Sequence, residues 1–273
     1  MSANASGPAE SAPLGADVRR STGPLGRRLA LARGKAPEGA GGPGVRLLLG
    51  EVGSYIGRLK RRFQPPLELP RAQSPRVVIL LPGFGTHPVR MRYMAAQLER
   101  AGHTVKRWGL GFNLGPTAEN FEALARRVRD VHARYGQQVV LVGWSLGGIF
   151  ARELAKRHPE MIAKVVTMGS PFSGNPYANN AWRIYELITG HSIAQPPIEV
   201  QMAVKPPVET VALWSPRDGI VSPCCTSGHP GERDRAVALD CTHIGFADSH
   251  EAIRAVAEEL ERPPLTRAPG SDK

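Results

Sequence analysis

At 273 residues the chain is long enough for one large α/β domain with appendages, and it holds no run of about eighteen apolar residues that would make a transmembrane helix. Its net charge of +11 is unevenly placed: residues 1–76 carry thirteen Lys/Arg against five Asp/Glu, and residues 77–273 carry twenty-two against nineteen. The body is nearly neutral, and the basic leader has no nucleic-acid motif or interleaved aromatics, which argues against nucleic acid as a partner.

The N-terminus lacks an apolar stretch followed by a cleavage site. Cys224, Cys225 and Cys241 are too few and too awkwardly spaced for a disulfide framework. Both features predict a cytoplasmic, reducing setting. Residues 1–43, rich in Ala, Gly, Pro and Ser, predict a disordered basic leader, since such a stretch buries little apolar surface. From Val45 the pattern changes: Val45, Leu48, Leu49, Val52, Tyr55, Ile56, Leu59 and Phe63 recur at helical spacing. Arg58, Lys60, Arg61 and Arg62 gather at its far end, where cations suit a helix C-terminus. Residues 44–64 thus read as an amphipathic basic helix whose apolar stripe packs on the body. Peripheral contact of 45–63 with an anionic membrane is the competing use.

Residues 65–262 read as the main domain. Val77–Leu81 is a continuous apolar run, as expected of a parallel strand buried on both faces. A helix over Arg90–Ala101, a strand over His103–Trp108 and a helix over Ala118–Tyr135 follow. Val139–Val142 is the next strand. Further strands are predicted at Ala163–Met168, Thr210–Trp214 and Ala236–Leu239, and a closing helix at His250–Leu260. Strands and helices in turn predict a mostly parallel, doubly wound sheet. Asn175–Pro206 breaks the rhythm, with Trp182, Tyr185, Leu187 and Ile188 on a short helical stretch, and reads as a cap or lid of 175–206. Residues 263–273 read as a disordered tail.

Gly143-Trp144-Ser145-Leu146-Gly147 lies where the strand through Val142 meets a helix that starts near Leu146 and stops at His158-Pro159. A serine on a sharp strand-to-helix turn, flanked by glycines that let the elements cross closely, is a nucleophile elbow. Such a serine needs a histidine to take its proton and an acid to orient that histidine, in the chain order Ser, acid, His, on loops after later strands. Asp218 follows the strand that ends at Trp214, and His243 follows the one that ends near Leu239. Asp218 also reads as an ordinary turn aspartate before glycine. Asp240 is the fallback acid and Asp234 a weaker one; His250, His87 and His229 are less well placed than His243. The oxyanion donors are predicted to be the backbone N–H groups of Phe84, in the loop after the first strand, and Leu146. Gly109–Gly115 matches neither a dinucleotide nor a Walker pattern and reads as a tight connection. No cofactor or metal is predicted.

Leu81-Pro82-Gly83-Phe84, Trp108-Gly109-Leu110-Gly111-Phe112-Asn113-Leu114-Gly115-Pro116, Gly143-Trp144-Ser145-Leu146-Gly147-Gly148, Gly169-Ser170-Pro171-Phe172, Asp218-Gly219-Ile220-Val221 and Thr242-His243-Ile244-Gly245 together resemble bacterial α/β-hydrolases of lipase or esterase type. The stretch around Leu47–Glu51 has a counterpart in that group, so the resemblance covers roughly residues 45–262. Pro82-Gly83 stands where many members have His-Gly. The resemblance implies Ser145, Asp218 and His243 as a triad. The resulting expectation is a cofactor-free serine hydrolase that cleaves hydrophobic or lipid-like carboxylic esters through an acyl-enzyme on Ser145. Acyl transfer by the same triad, and a hydrolase-fold protein that binds without turnover, are the alternatives.

Overall fold

The computed structural model describes residues 23–60 and 66–263. Six strands, β1 (Val77–Leu81), β2 (Thr104–Arg107), β3 (Val139–Trp144), β4 (Ile162–Met168), β5 (Glu209–Trp214) and β6 (Arg235–Ala238), form one sheet in the order β2-β1-β3-β4-β5-β6. Every neighbouring pair is parallel. The four inner strands are buried almost throughout, and β2 and β6 form half-exposed edges. That is why β1 and the first part of β3 read as unbroken apolar runs while β2 and β6 do not; β4 and β5 are also mostly apolar but bury Lys164, Thr167 and Thr210.

Successive residues of the inner strands face opposite layers. Val78, Leu80, Val140, Val142 and Val166 pack with Met94 and Leu98 of α3 (Arg92–Arg100) and Ile253, Val256 and Leu260 of α8 (His250–Glu261). Val77, Ile79, Leu141 and Val165 pack on the other face with Phe121, Leu124 and Val128 of α4 (Ala118–Tyr135) and Phe150 and Leu154 of α5 (Leu146–Arg157). Strand order reverses between β1 and β3, and in open α/β sheets the crevice at such a switch lies outside the C-terminal strand ends. The loops after β1 and β3 therefore hold the favoured place for a ligand.

Two expectations need correction. Residues 23–43 are ordered where the sequence predicted disorder: α1 (Pro24–Arg33) lies on α6 (Trp182–Thr189), and Arg183 Nη1 donates to the carbonyls of Ala32 and Gly34 at 2.7 and 3.0 Å. The leader is thus held by hydrogen bonds to its free carbonyls, a force that its poverty in apolar residues does not reveal. The rest of the leader, 1–22, lies outside the described residues.

The second concerns α2 (Val45–Lys60). The described part of its apolar stripe does not pack on the body: Val45, Leu48, Leu49 and Val52 are exposed, and the inward positions are Leu47, Glu51 and Ser54; the side chains of Tyr55, Ile56 and Leu59 lie outside what the structure describes. Arg61, Arg62 and Phe63 of the predicted helix lie outside the described residues. Strands β5 and β6 are joined through a short helix, α7 (Pro223–Ser227), that the Pro-Cys-Cys-Thr-Ser sequence does not announce. From 264 onward the predicted tail is outside the described residues.

Candidate active site

Ser145 follows the last residue of β3 and precedes the first of α5. Its backbone has φ 53° and ψ −123°, the one positive φ at a non-glycine among the described residues. A non-glycine residue held there is strained and persists only when its surroundings fix it. Those surroundings are the glycines. A Cβ on Gly143 would sit 2.5 Å from the Gly147 backbone, and one on Gly147 2.3 Å from the Leu81 carbonyl oxygen. The strand, the turn and the loop after β1 therefore touch backbone to backbone. Ser145 N–H donates to the Met168 carbonyl at 2.8 Å, which ties the elbow to the end of β4.

Asp218 and His243 sit on the loops after β5 and β6, and both are buried. His243 Nδ1 and Asp218 Oδ2 are 2.7 Å apart. Asp218 Oδ1 accepts from the N–H groups of Ile220 and Val221 at 2.9 and 2.8 Å. The two carboxylate oxygens have separate partners: Oδ1 closes the turn, and Oδ2 lies against the imidazole. With a carboxylate against Nδ1, that nitrogen carries the proton and Nε2 keeps its lone pair. Burial alone lowers the His243 pKa; the neighbouring Asp218 and Glu51 carboxylates more than offset it and hold the pKa above the ordinary imidazole value.

Residue 145 is brought to this pair through its neighbours. Trp144 Nε1 donates to the His243 carbonyl at 2.9 Å, and a Cβ on Gly169, next to Met168, would sit 3.0 Å from His243 Nδ1. Among the described residues Ser145 Oγ makes no hydrogen bond to His243; unliganded sites commonly hold that contact long until substrate arrives. Asp240 pairs with Arg217 at 3.1 Å, Asp234 accepts from Thr210 N–H at 2.8 Å, and His250 meets the Tyr93 hydroxyl at 2.9 Å. Among the described residues neither Asp240 nor Asp234 is hydrogen-bonded to His243.

The loop Pro82–Gly85 crosses the elbow, where a Cβ on Gly83 would lie 3.2 Å from the Trp144 ring and 3.3 Å from Ser145 Cβ. Leu146 is the first residue of α5, so its N–H has no partner within the helix. Neither that amide nor the Phe84 amide has an acceptor among the described residues. The loop is stapled by Asn113, a fully buried residue that the sequence reading passed over. Asn113 Nδ2 donates to Pro82 O at 2.8 Å, its carbonyl accepts from Gly85 N–H at 2.7 Å, and its N–H donates to Thr86 O at 3.0 Å. The Gly109–Gly115 connection thus shapes the loop after β1.

A narrow cavity opens at Ser145, Leu146 and Phe84 and offers about 90 Å³ to the centres of water molecules. Its floor is one face of α5, through Leu146, Ile149, Phe150 and Glu153, at the i, i+3, i+4 and i+7 spacing of a helix stripe. Its roof comes from 175–206, including Tyr185, Ile198 and Met202. The Tyr185 ring lies 5.1 Å from that of Phe84 and its hydroxyl is shifted towards higher pKa by burial. Among the described residues no group of three or more His, Cys, Asp or Glu is arranged to hold a metal ion.

One acidic residue is unexpected. Glu51 of α2 is 2% exposed, and its carboxylate accepts from Gly219, His243 and Ile244 N–H groups. In the sequence it reads as one charged residue on an amphipathic helix. Its partners are backbone amides, which have no side-chain signature.

Residues 76–188 match the sequence model of the α/β-hydrolase fold. A stretch of 95 residues is 35% identical to a pimeloyl-[acyl-carrier protein] methyl ester esterase of Klebsiella pneumoniae, covering 34% of this chain and 36% of that one. The protein of the same name in Vibrio vulnificus is 32% identical over 102 residues, covering 37% and 38%. The chain spans little more than a third of the length of the curated relatives it matches. The mature Bacillus licheniformis lipase BlEst2 superposes with a TM-score of 0.54 at 16% identity, covering 73% of this chain and 96% of that one, a likeness of fold. The chain has the α/β-hydrolase fold.

Proposed function

We propose that the protein is a carboxylic ester hydrolase that works through an acyl-enzyme on Ser145. The observation that carries this reading is the strained serine at the sheet's switch point, facing an apolar cavity and next to a buried Asp218–His243 pair. Ser145 Oγ attacks the ester carbonyl as His243 Nε2 takes its proton, and the Phe84 and Leu146 N–H groups stabilise the oxyanion. His243 then gives that proton to the leaving alcohol. Water, deprotonated by the same nitrogen, adds to the acyl-enzyme and releases the acid. Asp218 keeps the tautomer and stabilises the imidazolium.

The acyl group lies along α5. Ser145 to Glu153 spans eight residues, or about 12 Å of helix axis, so the floor suits an apolar chain of medium length. The relatives named as methyl ester esterases of a carrier-bound acyl group support an ester, rather than an amide, as substrate class. The 175–206 segment acts as a lid that keeps water from the acyl arm. Hydrolysis of p-nitrophenyl esters of graded length tests the reading: kcat/KM is expected to peak at intermediate acyl length and to vanish in Ser145→Ala. No turnover of any ester by the folded protein would refute it, and transfer to an added alcohol in place of hydrolysis would mark an acyltransferase.

A second reading concerns α2. Its outward residues Val45, Leu48, Leu49 and Val52 form an exposed apolar stripe on a helix whose far end is basic in sequence. That combination suits peripheral contact with an anionic lipid surface. Among the described residues no helix is long and apolar enough to cross a membrane. Co-sedimentation with phosphatidylglycerol vesicles, lost in a Leu48→Ser/Leu49→Ser variant and absent with phosphatidylcholine alone, is the expected result. Equal recovery on both lipids would contradict it.

A further inference from the structure

We propose that Glu51 is a positioning residue of the hydrolytic site, a carboxylate supplied by a helix outside the sheet that locks the acid loop to the base loop and completes the charge environment of His243. The proposal rests on the esterase reading above.

The geometry is specific. Glu51 Oε1 accepts from Gly219 N–H at 2.8 Å and from His243 N–H at 2.7 Å, and Oε2 accepts from Ile244 N–H at 2.9 Å. Gly219 directly follows Asp218, so a single side chain bridges the two loops that must meet for the imidazole to be held. Glu51 is not a competing acid of the triad, because the ring nitrogen Nδ1 belongs to Asp218 and Glu51 takes only main-chain donors. Gly219 is the residue that lets the helix come this close. A Cβ there would lie 2.3 Å from the Leu47 carbonyl oxygen and 2.9 Å from Glu51 Cγ. One turn further along α2, Ser54 Oγ and Thr242 Oγ1 are 2.6 Å apart and extend the contact to the same base loop.

The charge has a role beyond the bonds. The charged groups that face His243 are Asp218 from the β5 loop and Glu51 from α2. Arg90, ion-paired with Asp248, stands one step away and donates to the Ile244 carbonyl at 3.2 Å. The Trp144 and Phe246 rings close the remaining sides without charge. His243 becomes an imidazolium as Ser145 attacks. A second buried carboxylate nearby stabilises that form, and its effect on the histidine runs in the direction already described. Loss of Glu51 would leave three amides without an acceptor and a base loop free to move.

Glu51→Gln is nearly isosteric and keeps one oxygen for two donors, but it removes the charge and turns an NH2 towards one amide. Glu51→Ala removes everything. Two readouts on the full chain decide the matter: the pH dependence of fluorophosphonate labelling, and the NMR titration of His243 in 15N-histidine protein, assigned by its absence in His243→Gln. In Glu51→Gln the labelling plateau is expected to fall about 10- to 100-fold and its acid limb to move about 1 pH unit lower, with the His243 titration following. A folded Glu51→Gln with wild-type plateau, acid limb and His243 titration overturns the proposal, even if its Tm falls. If the wild type is not labelled at all, the esterase reading fails instead. The His243 titration then still decides: a move to lower pH in Glu51→Gln supports Glu51's hold on the histidine, and an unchanged titration overturns it.

Discussion

Helices α8 and α2 both lie against the body, yet they bury opposite chemistry. α8 turns Ala252, Ile253, Val256 and Leu260 onto the sheet, each essentially inaccessible to solvent. α2 turns a glutamate inward and leaves Val45 at 72% and Leu49 at 65% exposure. The first helix is held by apolar area and the second by directed hydrogen bonds to two loops. Burial spreads its effect over the whole fold, whereas three bonds to Gly219, His243 and Ile244 act at one place. Damage to α8 should therefore lower stability and spare the chemistry of whatever stays folded, and damage to α2 should do the reverse.

The largest effect on stability belongs to α8. Ile253→Ala should cost about 2–5 kcal/mol in denaturant unfolding while kcat per folded molecule stays at the wild-type value. A site-specific loss of kcat there would erase the distinction between the two helices. Next is the loop after β1, which is also held by polar staples: Asn113→Ala should lower kcat about 10-fold or more by loosening the Phe84 donor, without moving the His243 titration. A shifted titration would mean that the two loops are not independent. The raised His243 pKa sets a third expectation. The base is protonated up to a higher pH than an ordinary imidazole, so the acid limb of kcat/KM should lie above about 6.5. An acid limb below that value would contradict the electrostatic account of the site. The smallest effect is expected at Leu49→Ala, on the outward face of α2, which should change unfolding free energy by less than about 0.5 kcal/mol. A large cost would place that face against the body after all.

The difference between the two helices also explains what the sequence makes legible. Apolar periodicity located both helices, since a stripe at helical spacing survives whichever way the helix turns. It misassigned the packed face of α2 in its described part, because periodicity records where apolar residues lie and says nothing of a buried carboxylate on the other side. The inner strands were readable because parallel strands covered on both faces are mostly apolar. Ser145 was marked by its glycines, each of which is needed for a close backbone crossing. Asp218 and His243 were reached through strand order alone, and the structure joins them at 2.7 Å. Glu51 and Asn113 were not legible as site residues, for one physical reason. Their partners are main-chain amides and carbonyls, present at every residue, so no pairing pattern appears in the sequence. The ordering of residues 23–43 escaped for a related reason, since Arg183 binds carbonyls of that segment.

The central claim is that Ser145 is an activated nucleophile, and peptide mapping after fluorophosphonate labelling tests it most directly. A single phosphonyl adduct on the Ser145 peptide, absent in Ser145→Ala and slowed at least about 10³-fold in His243→Ala, is the predicted result. An adduct on another residue, or undiminished labelling of Ser145→Ala, would contradict it.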